Sequence, residues 1–231
     1  MLTMGNDRTI FLFGISGVLN DHSLSGYLET LSSKSGGTDA TFTVAAAEDA
    51  ALFENASITL ADFESRIAEK LRLPVAEVSY ANYYSSSVKP NLEVMGMAAE
   101  LKAQGFTIAY LTNHDPAVHR IAAAQLVQTF EIGFASYQIL GLRKPDELAF
   151  KFVADRIGAR LGRLLRYGDI TVIESQERNV EGARKAGMRG IMYTTPAALR
   201  DELNAVISQN ALKAAARSAP PARISLGRIK A

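Results

Sequence analysis

Four consecutive apolar residues, Ile10-Phe11-Leu12-Phe13, end at Gly14, a pattern that suits a strand buried on both faces of a parallel sheet. Comparable runs recur at 106–111, 134–140, 170–173 and 190–193. Between them the spacing turns helical, with helix punctuation at the ends. Pro90-Asn91 opens 92–104 with Gly105 as its stop, Pro116 opens 117–130, Pro145-Asp146 opens 147–157, 177–186 ends at Gly187, and Pro196 opens 197–207. This alternation predicts an α/β protein: a doubly wound parallel sheet with helices on both faces and right-handed crossovers.

Residues 20–89 break the rhythm, because they contain no buried strand and are far longer than a crossover requires. They read as an inserted helical cap. Helical patterns cover 45–53, 59–71 and 75–84, with Thr59 and Asp62 placed for a capping box, and 32–39 is a Ser- and Gly-rich loop. The expected organisation is a core of residues 1–19 and 90–208, a cap of 20–89, and a basic tail of 209–231 made of a helix end and a mobile segment.

Composition narrows the chemistry. The 231 residues include no cysteine, which removes disulfides, thiolate metal sites and cysteine nucleophiles. A formal net charge of +1 gives no field for nucleic acid or an anionic membrane surface. The charge is uneven: from Leu203 onward there are five bases and no acid, so the first 202 residues carry +1 minus 5, or −4. The apolar stretch at 9–19 stops at Asn20-Asp21-His22, short of the roughly 20 residues that span a bilayer. No small-residue cleavage site follows it, and the expectation is a cytoplasmic protein with no nucleic-acid or membrane partner.

In doubly wound sheets ligands bind beyond the carboxyl ends of the strands, which directs attention to 14–17, Thr112-Asn113, Arg143-Lys144 and Glu174-Ser175. His114, Asp115 and His119 belong to a solvated helix start on this reading, since two histidines five apart do not share a helix face. Gly14-Ile15-Ser16-Gly17-Val18 departs from a nucleophile elbow at its fifth position, and the sequence offers Ser16 no evident histidine partner. Tyr80, Tyr83 and Tyr84 either line the inner face of the cap or are ordinary packing, and packing is the preferred reading.

The order of FGISGVLN, YLTN, GLRKPDELAF and VIESQERNVEGARKAGM, with a helical insertion after the first, resembles the haloacid dehalogenase superfamily in its small-cap branch. The resemblance covers residues 9–202 and implies a Rossmann-like core. It also implies site positions that this chain fills unusually. The nucleophilic Asp of the family falls on Gly14, the acid/base Asp of its phosphatases on Ser16, and the acidic pair that holds magnesium on Glu174 and Ser175. The phosphoryl-binding Ser or Thr falls on Thr112, beside Asn113, and the charge-neutralising Lys on Lys144.

Neither Gly14 nor Ser16 supplies the carboxylate that a phosphoaspartyl mechanism attacks with, a loss comparable to removing a protease nucleophile, roughly a million-fold. With one carboxylate left, magnesium binding is expected to be weak or absent, so no cofactor and no metal site are assigned. The expectation is a degenerate, catalytically inactive protein. Thr112, Asn113 and Lys144 would bind a phosphorylated or carboxylated small molecule, Glu174 would pair with Lys144, and a protein partner would engage the cap or tail. Two alternatives stand beside it: a hydrolase using Ser16 or a water activated by Glu174, and a structural subunit that assembles through its cap.

Overall fold

The computed structural model describes residues 9–35, 40–54 and 57–218. Five parallel strands form one sheet: β1 (Ile10–Phe13), β2 (Thr107–Thr112), β3 (Ile132–Ala135), β4 (Ile170–Glu174) and β5 (Arg189–Met192). Their order is β3-β2-β1-β4-β5, so the chain leaves central β1 to one side and later crosses to the other. That reversal puts the switch point, where doubly wound sheets bind ligands, at the carboxyl end of β1.

Alternation along the strands explains how both faces are covered. Phe11, Phe13, Ile108, Tyr110 and Ile173 join one apolar cluster, while Ile10, Leu12, Ala109, Leu111, Ile170 and Val172 join the other. The side chains of β1 are fully buried on both faces, as its unbroken apolar run requires.

Nine helices lie among the described residues. Four lie in the insertion after β1: α1 (Leu24–Lys34), α2 (Ala40–Glu54), α3 (Leu60–Leu71) and α4 (Tyr80–Ser87). The others are α5 (Leu92–Ala103), α6 (Pro116–Leu126), α7 (Glu147–Arg160), α8 (Glu177–Lys185) and α9 (Pro196–Ser218). Thr59 and Asp62 close the anticipated capping box on α3. The insertion packs on its own aromatic residues, with Phe53 stacked on Phe63 at 4.4 Å and Tyr80 edge-on to both, and it is continuous with the cluster on the sheet. Its two chain crossings lie side by side: the Asp21 amide donates to the Lys89 carbonyl at 3.1 Å and the Asn91 amide to the Leu19 carbonyl at 2.8 Å.

Several boundaries differ from the sequence reading. The apolar run at 134–140 is not one strand: β3 ends at Ala135, and a 3-10 turn (Ser136–Gln138) follows. As the sheet edge, β3 pairs only with the last four residues of β2, and the Gln138 side chain accepts from the Ala135 amide at 2.9 Å, turning the chain away. Ser23, whose hydroxyl accepts from the Gly26 amide at 3.0 Å, caps α1, a helix the insertion was not expected to have. The loop placed at 32–39 begins only after α1, and 36–39 lie outside the described residues. Helix α9 continues to Ser218, because no Gly or Pro interrupts its run of helix formers, and Asn210 donates to Thr9 at 2.8 Å. Residues 209–218 are therefore the helix end expected at the start of the tail, and 219–231 lie outside the described residues. None of the described helices is long and apolar enough to cross a membrane.

Candidate functional site

The loop after β1 is drawn tight around one carbonyl: the amides of Val18, Leu19 and Asn20 all donate to Ile15. Two glycines let this loop press against the end of β4. A Cβ at Gly14 would fall 2.8 Å from the Glu174 carboxyl carbon, and one at Gly17, whose φ is +73°, would fall 2.5 Å from the Ser175 hydroxyl. No side chain fits at either place without moving its neighbour. Where the resemblance puts an attacking carboxylate on Gly14, the carboxylate of Glu174 fills the space beside that backbone instead.

That carboxylate is fully engaged. It is 2% exposed, pairs with the Lys144 ammonium, and accepts from Asn179 Nδ2 at 3.2 Å. Lys144, itself 6% exposed, also donates to the Leu111 carbonyl at 2.9 Å. Asn113 clasps the same lysine through its backbone, its amide group exchanging 3.0 Å hydrogen bonds with the N–H and C=O of Lys144. Thr112 is buried at the end of β2. The positions expected to receive an anion thus hold one another in place, with the internal carboxylate of Glu174 as counter-charge.

This donor set does not fit magnesium. Its one carboxylate is held by an ammonium and an amide, and the Ser16 carbonyl already accepts from the Ser175 hydroxyl at 3.0 Å. Among the described residues no three His, Asp or Glu side chains gather in one place.

A second group of polar residues faces a cavity of about 600 Å³ between the insertion and the sheet. Its core side includes Ser16, Asn113, His114 and Ser175, and its other wall includes Leu24, Leu28, Ala50 and Phe53. Glu174, Lys144 and Thr112 are not among the lining residues. Arg143 and Arg178 supply positive charge at this cavity, the former also tying the sheet side to α2 by donating to the Ala51 carbonyl at 2.8 Å.

The histidines are where the sequence reading needs correcting. His114 and His119 do not belong to a solvated helix start: they are 8% and 7% exposed. His119 sits between the hydroxyls of Tyr110, at 3.1 Å, and Tyr137, at 3.0 Å. His114 Nε2 lies 2.9 Å from the Ser16 hydroxyl, so Ser16 does have a histidine partner, 98 residues away in the chain. Only Asp115 plays the anticipated capping role, accepting from the Ala117 amide at 2.8 Å. His22 is also buried, with Nε2 2.6 Å from the Tyr80 hydroxyl and its ring 6.1 Å from that of His114. The Nδ1 atoms of both histidines have no hydrogen-bond partner.

Burial governs the charge of this group. It lowers the pKa of His22 to about 4 against a weaker opposing pull from Asp21. It lowers that of His114 well below the usual histidine value, helped by His22, His119 and Lys144. Both imidazoles are neutral at pH 7.

Solved structures that match this fold include haloacid dehalogenase-family enzymes. One from Bacteroides thetaiotaomicron matches 81% of this chain and 94% of its own with a TM-score of 0.65 at 16% identity. The chain has the haloacid dehalogenase-like fold. The same enzyme in complex with magnesium and inorganic phosphate matches at TM-score 0.60 and 17% identity, over 81% of this chain and 94% of that one. A dehalogenase matches 83% of this chain and 86% of its own, at TM-score 0.58 and 16% identity. No family model and no curated protein matches the sequence. These structures share the fold with this chain, and the chemistry has to be argued from its own side chains.

Proposed function

We propose that this chain is a small-molecule-binding protein that performs no phosphoaspartyl chemistry, with residues 20–89 acting as a cap over the ligand. One observation carries the reading: the space beside Gly14 is filled by the carboxylate of Glu174, which Lys144 and Asn179 hold in place. A phosphoryl acceptor is missing, and the lysine that would steady a phosphate is neutralised internally. Recognition therefore moves to the neighbouring cavity, whose apolar wall of Leu24, Leu28, Ala50 and Phe53 suits a carbon skeleton. Arg143 and Arg178 there suit a phosphate or carboxylate, in place of Lys144.

The test is thermal melting of the full chain with a panel of phosphorylated and carboxylated metabolites. A ligand at a hundredfold excess over its Kd adds about 2.7 kcal/mol of stability. Ala50→Phe, which fills the cavity, is expected to abolish the shift, and Arg178→Ala to weaken it. A shift that neither substitution changes would refute the proposed location.

A further inference from the structure

We propose that Ser16 is a nucleophile activated by His114, which gives the cavity an acyl-transfer chemistry toward small carboxylic esters. The inference rests on the cavity but not on the anionic class of its ligand. Three features of the geometry converge on it. Ser16 Oγ and His114 Nε2 are 2.9 Å apart, within the range for transfer of the hydroxyl proton. Both residues line the cavity, so an ester held against Leu24 and Leu28 can approach the hydroxyl.

Both residues are also held still. The Ser16 carbonyl accepts from Ser175 at 3.0 Å, and the Ser16 turn is closed by three amides donating to Ile15. The His114 ring packs edge-on to Tyr84 at 5.4 Å and against His22 at 6.1 Å. Such restraint is what a nucleophile and its base require, since reacting groups lose rate steeply when loosely positioned.

The step balances as follows. Ser16 Oγ bonds to the ester carbonyl carbon as its proton passes to His114 Nε2. The ester C–O bond then breaks, and the departing alcohol takes the proton back from His114. Water attacks the acyl-Ser16 bond in turn, releasing a carboxylic acid and restoring the hydroxyl. The imidazole must carry its resting proton on Nδ1, and no carboxylate is bound there to hold that tautomer, because His114 Nδ1 has no partner. Loss of the orienting acid in a serine protease lowers kcat by about 10⁴. Turnover is therefore expected to be slow, and acylation by an activated ester is the appropriate readout.

The experiment incubates the full chain with p-nitrophenyl acetate, follows p-nitrophenolate release, and maps the acetyl group by peptide mass. A single acetyl on Ser16 is expected, absent in Ser16→Ala. The rate of labelling should fall about 10²-fold or more in both His114→Asn and His114→Gln, the contribution of a general base. Circular dichroism of each variant confirms that it is folded, and two His114 substitutions guard against misfolding of one. No acetyl on Ser16 in the natural chain, or labelling at the natural rate in a folded His114 variant, would overturn the proposal. Either failure leaves the binding reading intact, since a ligand shift removed by Ala50→Phe does not depend on Ser16.

Discussion

Two buried polar groups meet at the loop after β1, and they are buried in different ways. Glu174, Lys144 and Asn179 answer one another by charge and hydrogen bonds and do not line the cavity. Ser16, His114, His22 and Tyr80 stand around open volume, and the Nδ1 atoms of both histidines lack a partner. The first group is a closed set whose members stabilise the fold. The second leaves hydrogen-bonding capacity unused beside the cavity. Glycine at position 14 is what separates them, because the Glu174 carboxylate fills the space that a side chain there would need.

The strongest way to break this contrast is to put the carboxylate back. Gly14→Asp forces a second buried anion against Glu174, and the loss is expected to be about 4 kcal/mol or more, the cost of an uncompensated buried charge. At roughly 2–4 °C per kcal/mol for a chain of this size, melting should fall by about 10 °C. Adding Glu174→Ala clears the space and should restore most of the loss. A double variant no more stable than Gly14→Asp alone would show that the two sites do not compete. Next in size is Lys144→Met, which leaves Glu174 buried without its cation and should cost about 3 kcal/mol in chemical denaturation. Replacing both members of the pair by apolar residues is expected to cost less than replacing the lysine alone.

The cavity group answers to pH instead. Unfolded, His22 titrates near 6.5, while in the fold burial holds it at about 4. Its contribution is intact above pH 6.5, declines as the pH falls from 6.5 toward 4 because the unfolded chain takes up the proton first, and changes no further below that. The decline amounts to about 3 kcal/mol at 1.36 kcal/mol per unit, and the buried His114 acts in the same direction. Melting curves across this range should show a shallower slope in His22→Gln, whose neighbours Tyr80, Tyr83, Tyr84 and His114 remain. Equal slopes would place the titration elsewhere. The smallest effect is Ser16→Ala: a single half-buried hydroxyl–imidazole bond is worth about 1 kcal/mol, so stability should barely move while any acylation disappears.

The sheet was legible because burial on both faces writes itself into the sequence as unbroken apolar runs, and Pro and Gly mark the helix ends between them. Strand β3 and helix α1 were less so. An edge strand is limited by its partner rather than by its own composition, and α1 is rich in Ser and Thr, so its pattern reads as loop. At the site, the Lys144–Glu174 pair could be anticipated, because the resemblance places both residues beyond the carboxyl ends of the strands. The occupation of the Gly14 space by Glu174 could not, nor could the pairing of Ser16 with His114. These contacts join residues 160 and 98 apart in the chain, and no local spacing records them. The same absence of a long-range view made the histidines look solvated, since Asp115-Pro116 is an ordinary helix opening wherever it lies.

The most direct test of the central claim is hydrolysis of a phosphoester panel by the purified full chain, with and without magnesium. No turnover above the uncatalysed rate is expected in either condition, because the attacking carboxylate is missing and Glu174 is held by Lys144. Magnesium-dependent turnover that Glu174→Gln eliminates would contradict the account, and would show that this carboxylate leaves its lysine to serve a metal.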